Sequence, residues 1–448
     1  MPRSRAWGLP NIRWMSKLEI FRACIFHTPR NPFFESHGLE AYPDGGLAVR
    51  DGAIEDCGDF STVRPKFPDA AVRDLRGGYL IPGLIDTHIH LPQTRVLGSF
   101  GYPVLEWLDR FTLPEEARFA GRAYAAERSA EFLRLLAAHG TTTALVFGSH
   151  FHTAMSAFFE AAASSGLRIF AGLTLSDRRL QRSLHQTPEA AYRDASNLIR
   201  RFHGHGRLRY AVMPRFAFST SEAMLAVCQT LLREHPDAAF TTHINESPVE
   251  IEEVAKLFPW SKSYLGVYER FDLIGRRSVL AHNVHPTDDE LRCIATRQAS
   301  VAHCPCSNAA LGSGILPLQR HLQHRVRVAL GTDVGAGTGF GMLKEGLQAY
   351  SLQMIAPEPM SLTAGQLLYM ATRAGAEALA IDAETGDFSQ GKAADFVYLK
   401  PPPESALAAA IERSEDAERV LAAIFTLAQP DSIADVRVAG SSVHSKIA

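Results

Sequence analysis

From about residue 80 the chain alternates short, nearly unbroken apolar runs with longer stretches in which apolar residues recur every three or four positions. The runs are GYLIPGLIDTH (78–88), TTTALVFG (141–148), LRIFAGLTL (167–175), LRYAVMPRF (208–216), DAAFTTHI (237–244), RSVLAHNV (277–284), ASVAHCP (299–305) and VRVALGTDV (326–334). Runs without polar alternation read as strands buried on both faces, as in a parallel sheet. The stretches between them, among them AYAAERSAEFLRLLAAHG, PEAAYRDASNLIRRF and SEAMLAVCQTLLREH, read as amphipathic helices. Several begin beside Ser, Thr or Asp or end in Gly, as capped helices do. Eight strands alternating with helices predict a closed (β/α)8 barrel in preference to an open doubly wound sheet.

The two ends have a different pattern. Residues 17–77 hold β-like segments, LEIFRACIFH and GLAVRDGAIEDCG, between Pro- and Gly-rich turns, and the C-terminus returns to β-like pattern in AADFVYLKP and IADVRVAGSSVH. Such ends pair most simply with each other. The expected organisation is a small β-rich domain from 15–80 and 385–448 around a catalytic barrel at 81–384.

Composition narrows the function classes. The 448 residues are 46% hydrophobic and 21% charged with a formal net charge of −2, so no basic field is available to hold nucleic acid or an anionic membrane. The six cysteines are scattered, unlike a disulfide framework, and no apolar stretch is long enough for a membrane span. The N-terminus lacks the apolar region of a signal peptide, Met15 is an equally plausible start, and residues 1–14 read as an extension of little consequence. A cytoplasmic location is expected.

Barrel enzymes carry their chemistry at the C-terminal ends of the strands. Strand one ends in His88 and His90, strand five in His243, strand six in His282 and strand eight in Asp333. Three imidazoles and a carboxylate are the ligand types of a catalytic divalent site with one open position. His-x-His alone is weak, because His150/His152 and His203/His205 repeat it. The last pair, in HGHGR, reads as solvated loop, and His150/His152 as pocket lining without metal. His37 and Glu40 sit in a turn-rich segment and read as exposed, whereas His243 and Glu246 follow an apolar strand. Cys304 and Cys306 have no second pair to complete a four-thiolate site and read as packed thiols.

PGLIDTHIH, HINE, SVLAHNVH, ALGTDV and the closing GKAADFVYL resemble the amidohydrolase superfamily of metal-dependent hydrolases. HLPQ (90–93), VLEWLDRFTLPEE (104–116), GTTTALVFG (140–148), MPRF (213–216), AHCPCSN (302–308) and GTDVGAGTGFGML (331–343) resemble, in that order, the guanine deaminase family within it. The resemblance implies a distorted (β/α)8 TIM barrel with a small β-sandwich built from both termini. It implies one divalent metal, with zinc the best fit to the donors, on His88, His90, His243 and Asp333. Glu246 is then the proton shuttle, His282 stands beside the activated water, and Gln93, Arg215 and Phe216 hold the purine together with His243, Glu246 and Asp333. Strand four, RYAVMPRF, lacks the bridging lysine of binuclear relatives, which favours one metal over two. Cys306, where the family has Asn, and the glycines at 339 and 341, where it has a nearby Ser, are departures that touch pocket detail.

The expected reaction is hydrolytic deamination: metal-activated water attacks C2 of guanine, Glu246 protonates the adjacent ring nitrogen and relays a proton to the leaving amine, and xanthine and ammonia form. His282 would orient or stabilise the tetrahedral centre. The alternative is another mononuclear relative acting on 8-oxoguanine, adenosine-type, cytosine or triazine substrates. A catalytically dead assembly protein fits poorly with a complete ligand set. No nucleic-acid or membrane partner is expected, and the family analogy suggests a homodimer.

Overall fold

The computed structural model describes residues 18–447, so the proposed start at Met15 and the extension before it lie outside the described residues. Eight parallel strands form the barrel: Leu84–His90, Thr141–Phe147, Arg168–Gly172, Leu208–Pro214, Ala239–Ile244, Ser278–His282, Ser300–His303 and Arg327–Leu330. They pair in chain order, and a short strand, Thr174–Leu175, adds to the fourth. Nearly every residue in them is buried, which is why the sequence shows runs rather than alternation.

Closure occurs at the rim. The Asp333 N–H donates to the His88 carbonyl at 2.8 Å, and the His90 N–H donates to the Val334 carbonyl at 3.1 Å. The Thr332 N–H and hydroxyl both donate to Asp86, at 3.0 and 2.5 Å. Gly331 permits this approach, since a Cβ there would lie 2.8 Å from the His88 Cβ, closer than packed carbons come. The bonds that join the last strand to the first therefore also fix the backbone of three candidate ligands.

The helices lie where the periodicity puts them. Pro188–Phe202 and Glu222–Glu234 are capped by the Thr187 and Ser221 hydroxyls, and Asp288–Thr296 by a reciprocal Thr287–Glu290 capping box.

The termini pair with each other in one ladder of seven strands. Its order is Ser441–Ser445, Ile433–Val438, Phe396–Leu399, Ala71–Pro82, Leu18–His27, Glu40–Arg50 and Ala53–Asp59. The twelve-residue strand Ala71–Pro82 is central, antiparallel to Phe396–Leu399 and parallel to Leu18–His27, so the expected sandwich takes the form of a continuous sheet. An apolar cluster including Phe21, Leu47 and Phe396 and another including Ile20, Ala48 and Val63 draw on alternate residues of the same strands. Ala71–Pro82 runs on through Gly83 into the first barrel strand, tying this sheet to the site. No helix among the described residues is long and apolar enough to cross a membrane.

Candidate active site

Each ligand candidate stands where a strand meets the rim. His88 and His90 are two apart in one strand and share a face; His243 is the penultimate residue of the fifth strand, and Asp333 follows the eighth. One donor atom from each of the four lies within 4.8 Å of all the others. The His90 Nε2 is 3.3 Å from the His88 Nε2 and 3.2 Å from the His243 Nε2, and Asp333 Oδ1 is 3.3 and 3.2 Å from the His88 and His90 nitrogens. Four donors about 2.0–2.2 Å from a tetrahedral cation would be about 3.3–3.6 Å apart, so these separations fit a zinc-type site.

The protonation pattern agrees with that fit. The His243 Nδ1 lies 2.6 Å from the Arg215 carbonyl, which fixes its N–H there and leaves the Nε2 lone pair facing the cluster. Burial lowers His88 to about 4 and pushes His90 and His243 down as well, keeping the rings neutral as ligands must be. Burial alone would raise Asp333, but hydrogen bonds from His88 and His90 outweigh it and hold the carboxyl well below its usual range.

Glu246 and His282 face the same space. The His282 Nε2 is 3.7 Å from Glu246 Oε2 and 3.8 Å from Asp333 Oδ2, while its Nδ1 is 2.9 Å from Asn308 Oδ1. Ser313 donates to Glu246 Oε1 at 3.1 Å, and the Glu246 N–H donates to Glu250 at 3.2 Å. Burial, with the Asp333 charge adding, raises Glu246; for His282 burial opposes protonation, but the Glu246 and Asp333 carboxylates outweigh it and raise the ring. His282 and Asp333 have φ of 69° and 48°, a left-handed conformation that side chains rarely adopt and that recurs at functional sites.

Gln93, Arg215 and Phe216 line the cavity above this cluster, with Trp107, Leu108 and Leu311 as its apolar wall. The carboxylate that holds two of these residues, Glu116, was not legible in the sequence. Arg215 Nη1 donates to both oxygens of Glu116, at 2.8 and 2.7 Å, and Gln93 Nε2 donates to Glu116 at 3.0 Å. Glu116 ends the quoted VLEWLDRFTLPEE segment, on the short helix Leu113–Arg118, and an acid there reads as a solvated face. Asn308 and Ser313, both after strand seven, were also missed.

The remaining candidates fall outside the cluster. His150 is buried beside Glu116, its Nδ1 3.5 Å from the carboxylate, and borders the adjoining cavity, in keeping with pocket lining. His203 is not simply solvated: it accepts from the Tyr210 N–H and contacts Asp237 at 2.9 Å. His37 is exposed, and Glu40 pairs with His27 and Arg30. Cys304 and Cys306 are free, buried thiols, and neither they nor Gly339 and Gly341 line the central cavity.

Comparison with known proteins gives concordant matches. The amidohydrolase family model matches residues 79–443. The chain is 54% identical to a probable guanine deaminase of Deinococcus radiodurans over 435 residues, covering 96% of this chain and 99% of that protein. It superposes on the structure of E. coli guanine deaminase with a TM-score of 0.90 at 36% identity, covering 96% of this chain and 100% of that one. A guanine deaminase from C. acetobutylicum with guanine bound in its active site gives a TM-score of 0.88 at 25% identity, with 96% and 100% covered.

Proposed function

Because the chain belongs to the guanine deaminase family of amidohydrolases, we propose that it hydrolyses guanine to xanthine and ammonia at the barrel rim. The observation that carries this reading is the set of four donors within 4.8 Å, of which His90, His243 and Asp333 line a cavity shared with Gln93, Arg215 and Phe216. His88, His90, His243 and Asp333 would hold one divalent cation, and zinc suits three imidazoles and a carboxylate. When bound, such a cation lowers the pKa of a water to about 7.

The side chains supply the rest. Asp333 Oδ2, on the cavity side, accepts a proton from the attacking water as its oxygen adds to C2 of guanine. Glu246, raised by burial, gives a proton to the ring nitrogen next to C2, so no negative charge builds up on the ring. Now ionised, it takes the second water proton from the hydroxyl at C2 and passes it to the exocyclic amine; the C2–N bond breaks, ammonia leaves, the water oxygen remains as the new carbonyl of xanthine, and the proton held by Asp333 returns to Glu246. Asn308 Oδ1 orients the His282 ring, so that its Nε2, with protonation favoured by two carboxylates, can donate to the oxygen gained at C2. The guanidinium donors of Arg215 not taken by Glu116 suit O6 and N7, Gln93 adds a further polar contact, and Phe216 offers a face for the ring.

The same reading takes the barrel as residues 81–384, and includes a cytoplasmic homodimer on family analogy alone. A panel of guanine, 8-oxoguanine, adenosine, cytosine and a triazine, scored by ammonia release with metal analysis on the same preparation, tests it. Guanine is expected to turn over fastest. Strong turnover of another member with none of guanine would replace the reading.

A further inference from the structure

We propose, resting on that reading, that Glu116 is the positioning residue of the purine site: one buried carboxylate holds Arg215 and Gln93 in the single arrangement that the heterocycle meets. Glu116 is 2% exposed, and its two oxygens take three donor contacts, two from Arg215 Nη1 and one from Gln93 Nε2. The partners come from different strands, Gln93 following the first and Arg215 the fourth, and among the described residues Glu116 is the one side chain that bonds to both.

The second end of Gln93 completes the constraint. Its Oε1 accepts the Gly335 N–H at 3.2 Å, so donor and acceptor ends each have an assigned partner and the amide cannot flip without breaking both contacts. Arg215 is likewise oriented by a buried ion pair, with no other hydrogen bond to its guanidinium among the described residues. The remaining donors are thereby turned toward the cavity that both residues line. Because the Arg215 carbonyl also receives the His243 Nδ1, purine wall and ligand cluster share one backbone unit.

A purely architectural role for this ion pair would fasten the segment bearing Trp107 and Leu108 and nothing more. The two roles separate kinetically. Loss of positioning weakens substrate binding while leaving the proton machinery of Glu246 intact; loss of architecture lowers stability and the amount of competent enzyme.

The test uses the full metal-loaded chain with Glu116→Gln and Glu116→Asp. Glu116→Gln is expected to raise KM for guanine at least ~10-fold, up to the ~10²-fold that misplaced substrate-orienting groups produce, with kcat within about 3-fold and bound metal unchanged. The calorimetric Kd of xanthine should weaken in parallel. Glu116→Asp keeps the charge on a shorter arm and should recover part of the loss, which keeps the test open if Glu116→Gln does not fold. In a cycle with Gln93→Ala the two effects should be strongly non-additive. Unchanged kcat/KM and xanthine affinity in both variants, or additive effects in the cycle, would overturn the assignment. Failure of the wild-type chain to release ammonia from guanine would instead overturn the functional reading, and is seen before any variant is made.

Discussion

Two buried polar clusters share one cavity, and they are built on opposite logic. Around Glu116, donors meet acceptors at 2.7–3.0 Å, so a carboxylate and a guanidinium neutralise each other without outside help. Around His88, His90, His243 and Asp333, three ring nitrogens and a carboxylate oxygen crowd together at 3.2–3.3 Å with no cationic side chain among them. Burial penalises an unpaired polar group in either place. The first cluster is complete as folded, whereas the second is the donor set that a bound cation would complete. On the proposed reading, the self-sufficient cluster meets the substrate and the cation-seeking one activates water.

That contrast can be broken most sharply at the metal. Chelation, or Asp333→Asn, should reduce turnover to background and lower the melting temperature, and added zinc should restore both only where the ligands are intact. Activity that survives metal depletion would erase the distinction between the clusters. Next in size, Glu246→Gln should retain its metal yet lose at least ~10²-fold in kcat, because it removes an acid–base group and no ligand. Single-turnover rates with parallel metal analysis check this, and near-normal turnover would refute the shuttle role.

A smaller effect should appear in stability against pH. Burial raises Glu345, which accepts the Cys306 N–H, to about 8, and Glu250, beneath Glu246, to about 7. A carboxyl whose folded value is raised stabilises the protein fully below its unfolded value of ~4.3, and that contribution is lost as pH rises through the folded value. Melting temperature should therefore fall between about pH 5 and 8 on account of these groups, and Glu345→Gln should flatten that slope. An unchanged slope would contradict ionisation of Glu345 in this window. Smallest of all, His203→Ala should leave metal content unchanged and kcat/KM within about 2-fold, since its partners Asp237 and Tyr210 lie outside the cavity. A larger loss would mean that a second His-x-His pair takes part.

The ligand cluster was readable from sequence; of the other, Gln93 and Arg215 were named through the family resemblance, but the carboxylate that joins them was not, for a physical reason. Strands buried on both faces leave unbroken apolar runs, and a polar residue closing such a run is conspicuous, so His88, His90, His243 and Asp333 could be placed on one rim. Glu116 lies in the long excursion between strands one and two, where no strand end supplies a coordinate. In LPEE an acid pair looks like the solvated face of a helix, and only the fold reveals that Arg215, ninety-nine positions away, is its partner. Asn308 and Ser313 escaped similarly, as common polar residues whose meaning comes from what they touch. At the termini, alternation revealed strands but not their order, because the central place of Ala71–Pro82 depends on pairing with segments at both ends of the chain.

One cation per chain, held by the four rim donors, should be required for guanine deamination. Titration of metal-free protein with zinc, followed by xanthine formation from guanine, tests it most directly. Activity should rise linearly and break at one equivalent per chain. A break at two equivalents, or turnover that does not depend on added metal in protein holding less than about 0.3 equivalents, would contradict it.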